Sequence, residues 1–204
     1  MCFETLERRM LRTVHLGADG VVVIDGTAND DVALVVVDTR GTASTADDKV
    51  RVDLGHGGVG VTFVYDLDDV SAVQFYGNDG DDEFRNSTVC LSSDAWGGEG
   101  NDTLAGGARS DRFWGQDGND SLLGNGQNDS LYGGSGTDTL SGGSGSDRLD
   151  GGDDNIDDRL TGGSGADTFI THGQVNWLGW RSHDPEQWVD FGPAEGDVER
   201  IIYH

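Results

Sequence analysis

Aspartate recurs through the second half of the chain, mostly at intervals of nine residues, and its carboxylate is the group best able to do chemistry here. A glycine-rich stretch precedes each of these aspartates, and a large apolar residue follows two places after it. The glycine-rich stretches hold no Cys or His, so the available ligands are carboxylate and backbone carbonyl oxygens. Such ligands favour calcium over zinc or magnesium. The aspartates are Asp82, Asp102, Asp111, Asp120, Asp129, Asp138, Asp147, Asp158 and Asp167.

The interval belongs to a nine-residue repeat with the pattern G-G-x-G-x-D-x-U-x, in which U is large and apolar. The units are GNDGDDEFR from Gly77 and then, from Gly97 to Ile170, GGEGNDTLA, GGARSDRFW, GQDGNDSLL, GNGQNDSLY, GGSGTDTLS, GGSGSDRLD, GGDDNIDDRLT and GGSGADTFI. Glycines at the first, second and fourth places predict a turn over the first six residues. The last three predict a short strand that buries its eighth-place residue: Phe84, Leu104, Phe113, Leu122, Leu131, Leu140, Leu149, Leu160 or Phe169.

Two such units would make one turn of a flattened, parallel coil, with each unit above the unit two places earlier. The sixth-place aspartates then form two columns, Asp102, Asp120, Asp138 and Asp158 on one edge and Asp111, Asp129, Asp147 and Asp167 on the other. Carboxylates about 4.8 Å apart repel by about 0.9 kcal/mol in water and about 3.5 kcal/mol at an effective dielectric of 20. A divalent cation between successive loops reverses the sign of this interaction.

Residues 77–170 resemble the RTX, or haemolysin-type, family of calcium-binding nonapeptide repeats. The resemblance implies an all-β fold, a parallel β-roll or β-helix, with calcium between the loops of units i and i+2. Its ligands would be the sixth-place aspartates and second- and fourth-place backbone carbonyls. The eight regular units would form up to about six such sites, at affinities of about 10⁻⁴ to 10⁻³ M. The carbonyls would be those of Gly98, Gly100, Gln116, Gly118, Asn125, Gln127, Gly134, Gly136, Gly143, Gly145, Gly163 and Gly165.

Three units depart from the pattern. Arg109 replaces the fourth-place glycine of the Gly106 unit, bringing a cation and a Cβ into a loop that favours neither. Gln127 makes a milder change in the Gly124 unit. The Gly151 unit has two extra residues, and counting back two places from Leu160 makes Asp158 its aligned aspartate. We expect fewer sites if the Gly106 and Gly151 loops fail to bind.

The composition is thin in apolar residues and strongly acidic. The 204 residues include 34 glycines and 34% apolar residues, with a formal net charge of −25. A chain with this composition is predicted to be disordered unless cations are bound, so we expect folding to be coupled to metal. The charge argues against nucleic acid or an anionic membrane as a partner. The sequence contains no run of about 18 apolar residues, so it does not predict a transmembrane span.

The flanking regions divide the chain further. Residues 1–16 predict either a short helix or a leader segment. The run from Phe3 to Leu11 resembles the leaders at the start of planctomycete-type surface proteins. In residues 17–76 apolar and polar side chains alternate as they do in β-strands. This pattern predicts degenerate repeats or a cap on the coil, with a separate β-domain as the alternative. Within them, Asp31 in GTANDDVAL resembles a surviving sixth-place aspartate.

Residues 171–204 are rich in aromatic side chains and predict a cap over the last turn. Their run from Asp190 to Ile202 also resembles the strand that closes RTX rolls, where the family often carries an uncleaved type I secretion signal. The two interpretations remain open.

The functional hypothesis is a non-enzymatic, extracellular or cell-surface calcium-binding protein. Its surface partner is not identified by the sequence. The alternative is a calcium-folded secretion or stability module of an RTX toxin or hydrolase whose catalytic part is absent from this chain. No H-E-x-x-H or G-x-S-x-G motif is present to carry protease or lipase chemistry.

Overall fold

The computed structural model describes residues 13–38, 48–56, 59–154, 156, 158–175, 181–183, 187–188 and 198–203, with backbone alone from residue 171 onward. The strands are β1 Thr13–Leu16, β2 Val21–Asp25, β3 Val32–Asp38, β4 Lys49–His56, β5 Val59–Asp66, β6 Ala72–Asp79, β7 Glu83–Asn86, β8 Ser92–Glu99, β9 Thr103–Ala105, β10 Arg112–Asp117, β11 Ser121–Gly126, β12 Ser130–Ser135, β13 Thr139–Ser144, β14 Arg148–Asp150, β15 Arg159–Ser164, β16 Thr168–Val175, β17 Arg181–His183, β18 Gln187–Trp188 and β19 Val198–Tyr203. A 3-10 turn, Leu67–Asp69, joins β5 to β6.

The strands form two sheets that face each other across a narrow core. One sheet has the order β1-β2-β6-β8-β10-β12-β14-β16-β17, with β19 also paired to β16. The other has the order β18-β15-β13-β11-β9-β7-β3-β4-β5. Successive strands of the coil alternate between the sheets and pair in parallel with the strand one turn away. The predicted all-β parallel solenoid is confirmed.

The register follows the repeat length. Phe113 lies beside Leu131, and Leu122 beside Leu140, each 18 residues along the chain, which is two units of nine. Leu140 and Leu160 are paired 20 residues apart, because the Gly151 unit carries two extra residues. The extra residues therefore lie in the loop and leave the stacking of the strands intact.

The core is a double row of single side chains, one from each short strand. All nine predicted eighth-place residues are buried, and none exceeds 1% exposure. Ala95 and Leu91 occupy the interior between the Gly77 and Gly97 units, where the repeat is interrupted. Each turn of the coil contacts the turns on either side, so burial is gained by stacking.

Residues 17–76 continue the coil at its N-terminal end. Strands β2 and β3 pair in parallel with β6 and β7, and a hairpin of β4 and β5 extends the second sheet by antiparallel pairing. Ala33 lies beside Phe84 in the register, so GTANDDVAL occupies a repeat position. Strand β1 pairs antiparallel with β2. Residues 13–16 therefore form a strand, and the short helix predicted as one alternative for residues 1–16 does not extend over them.

The leader-like residues 3–11 lie outside the described residues, as does most of the predicted C-terminal cap. Of that region, β17 pairs antiparallel with β16, β18 pairs in parallel with β15, and β19 pairs in parallel with β16. The backbone of the tail thus adds strands to both sheets. Among the described residues there is no helix with the length and apolar character that a membrane crossing requires.

Candidate metal centre

The sixth-place aspartates form two buried columns, one along each edge of the coil. The predicted columns gain members at their N-terminal ends, because Asp31 and Asp82 precede Asp102 on the first edge, and Ser93 precedes Asp111 on the second. Every aspartate in the columns is at most 2% exposed. Asp158 lies in line with Asp138, as the count from Leu160 predicted.

Each column is held by one oxygen of every carboxylate. The backbone N–H of each aspartate donates to Oδ1 of the aspartate in the next turn, as from Asp102 to Asp120 at 2.7 Å and from Asp120 to Asp138 at 2.8 Å. The second column repeats this from Asp111 to Asp129 at 2.7 Å. These bonds satisfy backbone N–H groups that the turns would otherwise bury without partners.

The other oxygen is differently placed. In Asp82, Asp102, Asp120, Asp129, Asp138 and Asp147, Oδ2 is buried and has no hydrogen-bond partner among the described residues. It lies against the first-place glycine of its own unit, where a Cβ would overlap it, as Gly97 does with Asp102. The carbonyl oxygen of Gly115, one turn on, would lie 2.7 Å from that Cβ. A buried anionic oxygen beside a carbonyl is a donor set that suits a calcium ion.

Burial makes these carboxylates weak acids when no cation is bound. Desolvation raises the pKa of Asp82 and Asp129 to about 8 and that of Asp120 and Asp138 to about 7, although a backbone N–H to each lowers it. Neighbouring aspartates of the same column raise these pKa values further. The columns therefore favour a bound positive charge, whether a proton or a metal ion.

The predicted backbone ligands lie in the glycine-rich loops. Most second- and fourth-place residues adopt left-handed conformations, as at Gly98 (φ 126°) and Gly100 (φ 130°), but Gly107 and Arg109 do not. Gln116, Asn125 and Gln127 adopt the same conformation although they have side chains, with φ between 65° and 84°. Their carbonyls stack from turn to turn, since a Cβ on Gly118 would overlap the carbonyl of Gly100. The structure thus gathers the predicted carbonyls along the same edges as the aspartates, and their role as ligands stays a prediction.

Side chains alone do not complete a site. Among the described residues, no three His, Cys, Asp or Glu side chains converge as a metal cluster. The described side chains therefore do not form a complete site, and the backbone carbonyls remain the predicted source of further ligands.

The fifth-place residues form a second ladder that the sequence analysis did not foresee. Asn119 donates from its backbone N–H and from Nδ2 to Oδ1 of Asn101, at 3.0 and 2.9 Å, and Thr137 donates its N–H to Asn119. On the other edge, Ser146 donates its N–H to Asn128 at 2.8 Å. The sequence signal for this ladder is the recurrence of short polar side chains at the fifth place of the repeat.

These observations define a class of protein: a parallel β-solenoid whose edges carry stacked, aspartate-bearing glycine loops. A model of the family described as RTX calcium-binding nonapeptide repeat (4 copies) matches residues 96–131, 132–155 and 157–178. These segments are RTX calcium-binding repeats, which confirms the resemblance seen in the sequence. Such repeats bind several calcium ions along a run, so calcium is the cofactor. No curated protein and no solved structure matches the chain.

Proposed function

We propose that this protein is a non-enzymatic, extracellular or cell-surface calcium-binding protein whose folding depends on the ion. In this proposal calcium has a structural role, because it completes the interior of the coil. The proposed ligands are the sixth-place aspartates whose Oδ2 has no hydrogen-bond partner among the described residues, together with the carbonyls of the second- and fourth-place residues. Calcium is the partner that the repeats themselves identify.

One observation carries the proposal: the six buried Oδ2 atoms that have no hydrogen-bond partner in the described residues. An unpaired carboxylate costs several kcal/mol to bury, and the columns repeat that cost at every turn. The protein as a whole carries a net charge of −25, which adds repulsion between distant parts of the chain. A divalent ion near each of these Oδ2 atoms would offset both effects, whereas the inter-turn hydrogen bonds reach only Oδ1 and leave Oδ2 uncompensated.

The extracellular location follows from the affinity expected of such sites. Extracellular calcium modules bind at about 10⁻⁴ to 10⁻³ M, far above the calcium concentration at which cytosolic sensors respond. A chain with these sites would remain unfolded during export and would fold after it. This order of events fits a type I secretion route, for which the tail resembling the closing strand of RTX rolls is the candidate signal.

The test is a calcium titration of the purified chain, followed by far-UV circular dichroism, with magnesium as the control ion. We expect a disordered spectrum without ions, conversion to β-structure with calcium, and no conversion with magnesium at the same concentration. A chain that is equally structured and equally heat-resistant in excess chelator would contradict the proposal.

A further inference from the structure

The aspartate loops are of two kinds, which differ in how Oδ2 is satisfied. In the Gly106 loop the backbone N–H of Gly107 donates to Oδ2 of Asp111 at 2.9 Å. In the Gly26 loop the N–H of Thr27 donates to Oδ2 of Asp31 at 2.6 Å, and the Thr27 hydroxyl donates to the same oxygen at 3.0 Å. We refer to these two as closed loops, because the second-place N–H turns inward onto the carboxylate.

The loops with an unpartnered Oδ2 differ in backbone conformation. Their second-place residues adopt the left-handed conformation, as Asn78 (φ 81°) and Gly98 (φ 126°) do. Neither Gly107 nor Thr27 is among the described residues with positive φ. A β-branched residue such as Thr27 disfavours that conformation. We refer to the left-handed loops with an unpartnered Oδ2 as open loops.

The closed loops stand at the head of the two columns. Asp31 is the first aspartate on one edge. Asp111 is the first on the other, where Ser93 occupies the place one turn earlier and donates to Oδ1 of Asp111 from its N–H at 2.6 Å and its hydroxyl at 2.7 Å. Both oxygens of Asp111 are therefore hydrogen-bonded. In the first aspartate of each column, loop hydrogen bonds satisfy the buried Oδ2. In the open loops farther along, a cation would have to satisfy that oxygen.

The Gly77 loop is open, although it lies outside the segments that match the repeat family. Asp82 is 2% exposed, its Oδ1 accepts the N–H of Asp31 at 2.6 Å, and its Oδ2 has no partner among the described residues. Asp30 and Asp81 are stacked beside it at the fifth place, where the N–H of Asp81 donates to Asp30 at 3.1 Å. This loop therefore concentrates more negative charge than loops whose fifth place carries Asn, Ser or Thr.

We infer that Asp82 is a ligand of an additional calcium ion, bound where the Gly77 and Gly97 loops stack, and that Asp31 and Asp111 bind none. The inference rests on the proposed function, because it assumes that the open loops take calcium. It refines the expected set of sites in two ways: the predicted ligand Asp82 gains a site of its own beyond those of the eight regular units, and the carboxylate of Asp111 is removed from the predicted ligands.

The test measures calcium bound per chain by equilibrium dialysis at saturating calcium, using the full chain. We expect Asp82→Asn to bind at least one ion fewer than the wild type, and Asp111→Asn to bind the same number. Asp129→Asn, an open-loop change in the same column as Asp111, is the matched positive control and should also lose an ion. Asn keeps the Oδ1 acceptor, so each variant loses charge and keeps its inter-turn hydrogen bond.

Circular dichroism in saturating calcium establishes that each variant is folded. If Asp111→Asn does not fold, Asp31→Asn replaces it as the closed-loop variant, with the same expected result. A wild type that binds no calcium would defeat the proposed function itself. A wild type that binds calcium, together with an Asp82→Asn chain that keeps every ion or a folded closed-loop variant that loses one, would overturn only this inference.

Discussion

At the scale of the residue, the two oxygens of each column aspartate have separate tasks. Oδ1 accepts a backbone N–H from the preceding turn and maintains the stack. Oδ2, in an open loop, has no hydrogen-bond partner among the described residues and is left for a cation. A substitution that keeps the first task and removes the charge can therefore separate stacking from ion binding.

Asp120→Asn makes that separation. The amide oxygen can still accept the N–H of Asp102, while the negative charge near the ion is lost. We expect the calcium midpoint of folding to rise on the order of tenfold, because ligand charge tunes the affinity of calcium sites. Asp117→Asn, in the same loop but exposed, is the control and should leave the midpoint nearly unchanged. Equal midpoints for the two variants in circular dichroism would contradict the assignment of Asp120.

The pH dependence follows from the raised pKa values of the columns. Burial raises the pKa of Asp82 and Asp129 to about 8 and that of Asp120 and Asp138 to about 7, against about 3.9 for an unfolded aspartate. The contribution of these groups to the stability of the calcium-free fold is therefore fully present below the unfolded pKa, decreases as pH rises above it, and is lost once pH passes about 7 to 8.

We accordingly expect the calcium-free chain to show more β-structure at pH 5.5 than at pH 8. The measurement is far-UV circular dichroism of metal-stripped protein, kept above the isoelectric point of about 4.1. Protons and calcium compete for the same oxygens, so the calcium midpoint should be higher at pH 5.5 than at pH 8. A calcium-free chain whose β-structure increases as the pH rises would contradict this prediction.

At the scale of the element, each repeat strand contributes one side chain to the core, so no neighbour can compensate for its loss. Leu131 is fully buried between Phe113 and Leu149 in the register. Leu131→Ala should cost about 2–5 kcal/mol of unfolding free energy, because the cavity cannot close in so thin a core. Leu123→Ala, on the outer face and 37% exposed, is the matched control with a much smaller cost. Urea unfolding in saturating calcium measures both, and similar losses would contradict the assigned core.

A stack of aromatic rings runs along the outer face of the first sheet. Tyr76, Trp96, Trp114 and Tyr132 occupy the ninth place of successive turns, with ring centroids 4.6, 4.8 and 5.7 Å apart and nearly parallel planes. Arg148 lies over the last ring, 5.7 Å from its centroid. The rings bury their faces against one another, so the ladder ties four turns together from outside the core.

Trp114 contacts a ring on each side, whereas Tyr76 contacts one. We expect Trp114→Ala to lower the unfolding free energy by about 1–3 kcal/mol through the two lost ring contacts, beyond the area effect. Tyr76→Ala removes one ring contact, so the loss of unfolding free energy from ring contacts should be about half as large. Thermal unfolding in saturating calcium compares the two, and an equal or greater loss for Tyr76→Ala would argue against the ladder as a source of stability.

At the scale of the whole molecule, the two ends of the coil differ in how much apolar surface they bury. Strands β2, β3 and β4 each place at least two fully buried aliphatic residues inside, whereas each repeat strand from β9 to β15 places one fully buried apolar residue there. The N-terminal end also begins both aspartate columns with closed loops. Dependence on calcium is therefore expected to increase toward the C-terminal turns.

Calcium should contract the molecule. A disordered chain of this length has a radius of gyration of about 49 Å, and a compact one about 17 Å, with a somewhat larger value for an elongated solenoid. We expect small-angle scattering to show a decrease of roughly half or more on adding calcium, and little change with magnesium. A radius of gyration that is the same with and without calcium would contradict calcium-coupled folding.

Much of the fold was predictable because the repeat is local and its neighbours are alike. The nine-residue period placed Leu122 above Leu104 and aligned Asp102 with Asp120, since stacking a constant repeat allows one register that buries the apolar residue. The residue types in the loops, with carboxylates and glycines in place of Cys or His, predicted calcium for the same local reason.

The tertiary structure decided the conformation of each loop and the contacts between turns. That Asp111 is closed by Gly107 while Asp102 is open depends on the backbone conformation of the second-place glycine, which the repeat pattern does not distinguish. The polar ladder through Asn101 and Asn119 and the pairing of β2 with β6 across a hairpin depend on contacts between turns. Local pattern determines which residues face inward, whereas the folded conformation of each loop determines which carboxylates keep an oxygen without a hydrogen-bond partner among the described residues.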